Sequence, residues 1–448
     1  MKEKIAIIGA GISGLTCGYS LMQNKYENFE IFESSKVPGG VIKTFRNSKY
    51  LFEEGPNTFA LSDKRVLNMI NTLKLKVIKP KDSSNVRYIL KNDNLEKLPT
   101  TIFSIFTKKF LSKKSKFKIL KEVFNRKNES STNESIYDFF KRRFNKEIVE
   151  YIVNPFIAGT FSGDPKKISA KHAFPNLIKL ENDYKSIILG SILSKSDRNK
   201  IPRQIISFKN GLTALPEELS KKFEEKIYFN TTIKTIKKVS NGFTIDFAKD
   251  GRLTEKNFNK IIITTPAHKI GKILSQDTVF SDLKKIESIY YPPLVTVTLS
   301  YNKKETPQIK NGFGMLVPEI EKKNILGVLY LSSMFADRAP KNETLITIFL
   351  GGSRQPALAN LSDDEILKVV KSDLENIYAI NSNPKFISIK RWKHSIPQYS
   401  VDYDDYLKAF DNIEEKLSGI YFTGNYKDGI SIENNILNAM KLVNKIIN

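Results

Sequence analysis

Residues 5–14, Ile5-Ala6-Ile7-Ile8-Gly9-Ala10-Gly11-Ile12-Ser13-Gly14, decide the fold. A short apolar run, long enough for a buried strand, turns on glycines spaced Gly-x-Gly-x-x-Gly. Each glycine has its own task in a dinucleotide site. Gly9 permits the tight turn, Gly11 lets backbone approach a pyrophosphate, and Gly14 lets the following helix pack on the strand. That helix presents its first amides, around Ile12 and Ser13, and its positive dipole end to phosphate, with Ala10 in the turn itself. Leu15, Tyr19 and Met22 recur at helical spacing and predict a helix from about Ser13 to Asn24. Phe29-Glu30-Ile31-Phe32-Glu33 reads as a second strand ending in an acid 24 residues beyond Gly9. Glu33, followed by Ser34, is placed to accept hydrogen bonds from a ribose diol.

The chain has 448 residues, too many for one ordinary core, so two or three folding units are expected. At 40% hydrophobic and 27% charged it is globular in composition. Met1-Lys2-Glu3-Lys4 runs straight into the first strand, so no cleavable signal is expected, and no apolar run reaches membrane-spanning length. A single cysteine, Cys17, excludes an internal disulfide and agrees with a reducing cytoplasm. With His172, His268 and His394 far apart in sequence, no metal site is expected, and Ser-His or Cys-His catalysis is poorly supplied. Chemistry carried by a bound organic cofactor suits this inventory better.

The formal charge is +24. Lysines are spread along the chain and no nucleic-acid-binding motif is present, so nucleic acid is not an expected partner. Residues 107–127 stand out, with nine basic residues, one acid, and Phe110, Leu111, Phe117, Leu120 and Phe124 interleaved. As a helix, this stretch either lies on an anionic membrane surface or packs on the protein by its apolar side.

The order of elements predicts an α/β protein with a Rossmann-type dinucleotide-binding domain, an α+β substrate domain and a mostly helical inserted domain. The binding domain is expected in three pieces, 1–75, 201–266 and 391–448, the substrate domain in two, 76–101 and 267–390, and the helical domain at 102–200. Within the last, Thr132 or Asn133 is the expected helix cap before Ile136. Ile227–Asn230, Ile233–Val239 and Phe243–Phe247 read as a small antiparallel unit, and Asp363–Tyr378 as a helix. Strand Ile420–Thr423, then Gly424 and a helix, repeats the opening logic, so both ends of the chain are expected to meet at one cofactor.

At the level of motifs the chain resembles the FAD-dependent amine oxidase and desaturase superfamily and, within it, the oxygen-dependent protoporphyrinogen oxidase family. Superfamily-level strings are Gly9–Gly14, Glu33 and Val37-Pro38-Gly39-Gly40-Val41-Ile42-Lys43-Thr44, where the family often has Arg in place of Val41. More specific are Glu54–Phe59, Val153–Pro165, Phe335–Pro340, Gly351–Arg354 and Ile396–Tyr399. The resemblance covers nearly the whole chain.

FAD is the cofactor this resemblance implies, held additionally by Gly40 and Val41 near the diphosphate, Gly55, Pro56, Asn57 and Thr58 beside the flavin, and Ile233 near the adenine. Gly424, Asn425, Ile430, Ser431 and Ile432 would set a helix N-terminus against the flavin pyrimidine, where amide donors stabilise the charge of reduced flavin. Trp392 matches a position near the flavin, or anchors the core. A tetrapyrrole substrate and dioxygen are implied, with Asn57 on the substrate side and Arg87 pairing a propionate, for which a guanidinium fork is suited. Leu316, Leu329 and Phe349 would sandwich the macrocycle, or are ordinary strand core, and Gly159 would lie against it. The implied reaction is six-electron oxidation of protoporphyrinogen IX. Coproporphyrinogen III oxidation is the alternative, and an amine oxidase or desaturase a more distant one; flavin linkage through a C-terminal cysteine is excluded, Cys17 being the only one. Nothing in the residues fixes an oligomeric state; the resemblance allows a homodimer.

Overall fold

In the computed structural model, residues 3–99, 102–107, 109–124, 133–194, 198–274, 277–427 and 429–447 are described. A five-stranded parallel sheet runs in the order Ile227–Tyr228, Phe29–Phe32, Ile5–Ile8, Lys260–Ile263, Ile420–Phe422. Its strands are short apolar runs buried on both faces, the pattern of an α/β sheet covered by helices. Helices Ile12–Gln23 and Ile432–Ile447 cover one face, sharing a core of Leu15, Leu21, Ile436 and Val443. Cys17 lies in that core, and burial pushes its thiol up to about 12, so it is chemically inert.

The second sheet has seven strands, in the order Phe386–Trp392, Leu294–Asn302, Glu343–Gly351, Ile325–Leu329, Gly314–Leu316, Arg87–Lys91, Asn94–Lys97. One face is closed by helix Asp363–Tyr378, whose Ile366, Val370, Leu374 and Tyr378 pack on Val297, Val328, Met315 and Ile348. Ser362 and Glu365 form a reciprocal capping box at its start, which fixes where it begins. Against the opposite face, at Leu294, Phe349 and Trp392, packs Ala158 of helix Asn154–Phe161.

The described residues between 102 and 193 are mostly helical, and Lys146–Ile148, Val149–Val153 and Asn154–Phe161 follow one another, the middle stretch a π-helix turn. The core here is ionic as well as apolar. Arg143 is bound by Glu181 and lies 3.6 Å from Glu122, all three side chains fully buried. Arg142 bridges Glu134 and Glu181, at 2.7 Å to each.

Two local expectations are corrected. Ile227–Tyr228 does not join the antiparallel unit; it is the edge strand of the parallel sheet, because its backbone continues the ladder beside Phe32 and Glu33. The unit is instead Thr231–Val239, Gly242–Lys249 and Arg252–Phe258, the last strand being too polar to register as one. The helix from Ile136 is capped by Ser135, whose side chain accepts from the Asp138 amide, rather than by Asn133; Thr132 lies outside the described residues.

Candidate active site

The strand order reverses between Ile5–Ile8 and Lys260–Ile263, and a crevice opens there at the carboxyl ends of the strands, the usual ligand position in such sheets. Gly9 turns the chain at φ +110, a conformation an L side chain rarely adopts. A Cβ on Gly14 would come within 1.9 Å of the Gly9 carbonyl oxygen, so helix and turn can meet only through glycine. By contrast a Cβ on Gly11 would meet nothing within 4 Å, and no side chain caps the helix that Gly11 begins. Bare amides therefore face open space.

Glu33 is 8% exposed, with one carboxylate oxygen accepting from the Ala10 amide at 2.8 Å and the other from the Ser35 amide at 2.8 Å. The Ser34 hydroxyl reaches the same carboxylate at 3.3 Å. Those two bonds lock the carboxylate against the glycine turn. Its neighbour is the segment leading to Ile233, since the Thr231 amide donates to the Glu33 carbonyl at 2.8 Å. On the other side Gly40 approaches Gly11, and Gly55 fits beneath the Val41 carbonyl, where a Cβ would be 2.0 Å from oxygen. The Val41 side chain itself is exposed.

The chain's two ends meet here. The Ser13 hydroxyl donates to Asn435 Oδ1 at 3.0 Å, joining the first turns of the two helices. Buried Glu433 accepts from the Ser62 and Asp63 amides at 2.6 and 2.9 Å, fixing the strand that follows Gly55–Thr58. Tyr399 accepts from the Gly429 amide and donates to the Asn425 carbonyl, holding the Gly424-to-Ile432 turn, and Ser431 caps the Asn434 amide. Glu433 and Asn435 were not singled out from the sequence, and Tyr399 only as the end of the string Ile396–Tyr399, with no role given. The only signal for the first two was polarity on a helix face that an apolar period would predict to be buried.

Register places the other candidates on the open face of the seven-stranded sheet. Arg87, Gly314, Leu329 and Thr347 form one row across neighbouring strands; Leu316, Gly327, Phe349, Thr296 and Lys390 form the next; Gly351, Leu294 and Trp392 follow. Gly314 and Gly327 leave the floor flat between Leu316 and Leu329, for a Cβ at either would strike the backbone. Helix Asn154–Phe161 closes one side, with Gly159 against Leu316 and Ala158 packed with Leu294, Phe349 and Trp392. Leu329 also packs on the Tyr50, Phe52 and Leu345 cluster, so it serves the core as well as the floor. The strings Val153–Pro165, Gly351–Arg354 and Ile396–Tyr399 meet at this side, through Arg354 to Asn154 at 2.8 Å, Ser353 to Ser162 at 2.7 Å and Gln398 to Phe161 at 2.8 Å.

Charge on this face is uneven. Arg87 is exposed, stacks over Phe313 and has no carboxylate partner among the described residues; burial of its stem and then the nearby Arg203 hold its pKa below the usual arginine value. Lys390 is matched by Glu54 at 3.2 Å, and the Trp392 indole donates to the Glu54 carbonyl at 3.0 Å. Asn57 donates to the Gly55 carbonyl at 3.1 Å, while its own Oδ1 is buried with no partner. His268 and His394, distant in sequence, stack at 4.2 Å; burial and then His394 push His268 down to about 4. No cluster of three metal-ligating side chains occurs among the described residues.

The model of the flavin containing amine oxidoreductase family matches residues 12–439. The chain belongs to this family. It is 30% identical to protoporphyrinogen oxidase 2, chloroplastic/mitochondrial, of Arabidopsis thaliana, over 99% of this chain and 94% of that protein. It is 24% identical to the coproporphyrinogen III oxidase of Bacillus subtilis, over 96% of this chain and 95% of that one. The crystal structure of a candidate protoporphyrinogen oxidase from Exiguobacterium superposes with a TM-score of 0.81 at 20% identity, covering 100% of this chain and 99% of the other, and shares its fold. The chain is an FAD-dependent oxidoreductase. The crevice fits that cofactor: bare amides at Gly11 and a locked carboxylate at Glu33 are what a diphosphate and a ribose require.

Proposed function

We propose that this enzyme oxidises protoporphyrinogen IX to protoporphyrin IX with dioxygen as the final acceptor. The floor carries the reading: a flat apolar surface of Leu316, Gly327 and Phe349 with an unmatched guanidinium, Arg87, at one margin. A macrocycle with apolar faces and propionates along one edge suits that mixture. FAD, when bound, accepts hydride, and over three rounds six electrons pass to three dioxygen molecules, giving hydrogen peroxide.

Gly9–Gly14, Gly40 and Val41 would hold the diphosphate, Glu33 and Ser34 a ribose, Ile233 the adenine surroundings, and Gly55–Thr58, Trp392, Gly424, Asn425 and Ile430–Ile432 the flavin. Arg87 binds a substrate carboxylate and orients the ring. Leu316, Leu329, Phe349 and Gly159 keep its reacting carbon at near-attack distance and exclude water. Asn57 Oδ1 accepts a hydrogen bond on the substrate side. No side chain has to act as nucleophile.

Protoporphyrin and coproporphyrin fluorescence, followed with each porphyrinogen as substrate, tests the reading. Faster turnover of protoporphyrinogen is expected, and a reversed preference overturns it. Coproporphyrinogen III would need a second available cation on the floor, and Lys390, the further cation there, is held by Glu54 at 3.2 Å. Helix Lys113–Glu122 supports docking to an anionic membrane surface, since Phe117, Leu120 and Phe124 are 65%, 53% and 81% exposed among lysines, whereas Phe110 and Leu111 are buried. Lys108 and residues 125–127 of this basic stretch lie outside the described residues. Among the described residues no helix is long and apolar enough to cross a membrane.

A further inference from the structure

Away from this floor, a cleft of about 700 Å³ lies on the FAD-binding body. It shares no residue with the positions named for cofactor or substrate. Four separate chain segments bring cations to it: Arg46 from a hairpin, Lys74 and Lys76 from the turn after helix Lys64–Thr72, Lys209 from a second turn, and Lys221 and Lys222 from the end of helix Ala214–Ser220. The two turns are bonded to each other, the Lys209 amide donating to the Lys76 carbonyl at 3.0 Å, and Arg46 donates to Asn210 at 3.1 Å. The arrangement is therefore built, rather than a run of lysines along one surface helix.

Its acids do not balance it. Glu218 pairs with Lys221 at 2.7 Å, and Glu217 is the only other carboxylate in the lining. Arg46, Lys74, Lys76, Lys209 and Lys222 have no carboxylate partner among the described residues. Like charges gathered in a concave site repel one another and focus a positive potential into it, which an anion relieves. Leu73, Leu75 and Phe208 give the cleft an apolar floor, so its occupant can carry a compact organic part as well as charge.

We propose that this cleft is a binding site for a small molecule carrying two or more phosphate or carboxylate groups. Several point-charge lysines with one arginine suit a multiply charged anion of adaptable shape better than a single planar carboxylate. The same chemistry is offered by a free phosphate compound and by the headgroup of an anionic lipid.

Calorimetric titration of the FAD-loaded protein with inorganic pyrophosphate tests the site. Saturable binding is expected, weakened roughly ten-fold or more in Lys209→Ala/Lys222→Ala and little changed in Lys408→Ala/Lys441→Ala, which removes equal charge from exposed positions elsewhere. Vesicles containing phosphatidylglycerol that displace pyrophosphate point to a headgroup; vesicles that leave it bound point to a free anion. Absence of saturable binding, or equal losses in the two variants, overturns the proposal. All the exchanged lysines are exposed, and retained yellow FAD absorbance verifies folding of each variant.

Discussion

Lys390 Nζ lies 3.2 Å from a Glu54 carboxylate oxygen, and the same Glu54 receives the Trp392 indole on its carbonyl. The pair neutralises the only lysine in its row of the sheet face. Arg87 sits five strands away, ~24 Å at the usual strand spacing, without such a partner. The floor thus offers a free cation at one margin and a matched one at the other. A substrate with carboxylates on one edge suits that asymmetry, whereas carboxylates on opposite edges would call for two free cations. Glu54→Gln unmatches Lys390 and is expected to raise kcat/KM for coproporphyrinogen relative to protoporphyrinogen several-fold, about 1 kcal/mol of discrimination. An unchanged ratio would show that Lys390 does not face the substrate.

Arg87→Ala removes a guanidinium that has no carboxylate partner among the described residues. A charge-assisted bond to carboxylate contributes about 1.5–3 kcal/mol, so KM should rise roughly ten- to hundred-fold. The hydride step takes place away from the carboxylate, so kcat should hold. Steady-state kinetics decide the matter, and an unaltered KM assigns the propionate elsewhere.

Glu33→Ala should release FAD. The carboxylate is held by two amides in a geometry ready for a ribose diol, so its loss both empties the site and frees the Ala10 amide. An increase in Kd of roughly ten- to hundred-fold is expected from equilibrium dialysis. Glu33→Gln, which keeps one acceptor oxygen, should fall between. Retained affinity in Glu33→Ala would remove this residue from the site.

Acid should loosen the helical insertion first. Burial raises the Glu181 pKa, but bonds from Arg142 and Arg143 outweigh it and hold the carboxyl below its ordinary value of 4.5. A carboxyl depressed in the folded state stabilises it fully above the unfolded value, and that stability fades as pH falls through the folded value. Stability should therefore decline with falling pH below about 4.5. Glu181→Gln should flatten that decline while lowering stability at neutral pH by roughly 1–3 kcal/mol, since buried Arg143 loses its closest carboxylate and keeps only Glu122 at 3.6 Å to balance its charge. Chemical denaturation at stepped pH reads both; a slope unaffected by the substitution would be contrary.

The glycine turn, Glu33 and the paired chain ends were legible because a dinucleotide crevice imposes local demands, bare amides and an acid at fixed spacing, that leave a motif. The helix from roughly Asp363 to Tyr378 was legible because its capping box and apolar period agree. The floor was harder: Leu316, Leu329 and Phe349 alternate like any strand core, and only the register between strands shows which side of the sheet each occupies. Ile227–Tyr228 was misassigned because an edge strand of two residues has no period of its own. The Arg142–Glu181 and Glu33–Ala10 bonds lie 39 and 23 residues apart and carry no sequence pattern at all.

Helix Lys113–Glu122 yields the last prediction. Its Ser115 side is tied down by Glu147, and its end caps helix Ile187–Leu193 through Glu122, which accepts from the Ile187 amide at 2.8 Å. The polar contacts anchor one side, leaving Phe117 and Leu120 outward with Lys113, Lys114 and Lys118. Apolar side chains entering the acyl boundary and lysines meeting anionic headgroups contribute separately, about 1 kcal/mol per lysine at low salt. Lys113→Ala/Lys114→Ala/Lys118→Ala should therefore reduce flotation with phosphatidylglycerol vesicles in a salt-dependent way. Phe117→Ser/Phe124→Ser should reduce it at all salt concentrations. Neutral phosphatidylcholine vesicles should respond only to the second variant, and flotation equal to wild type in both would leave this helix a solvated one.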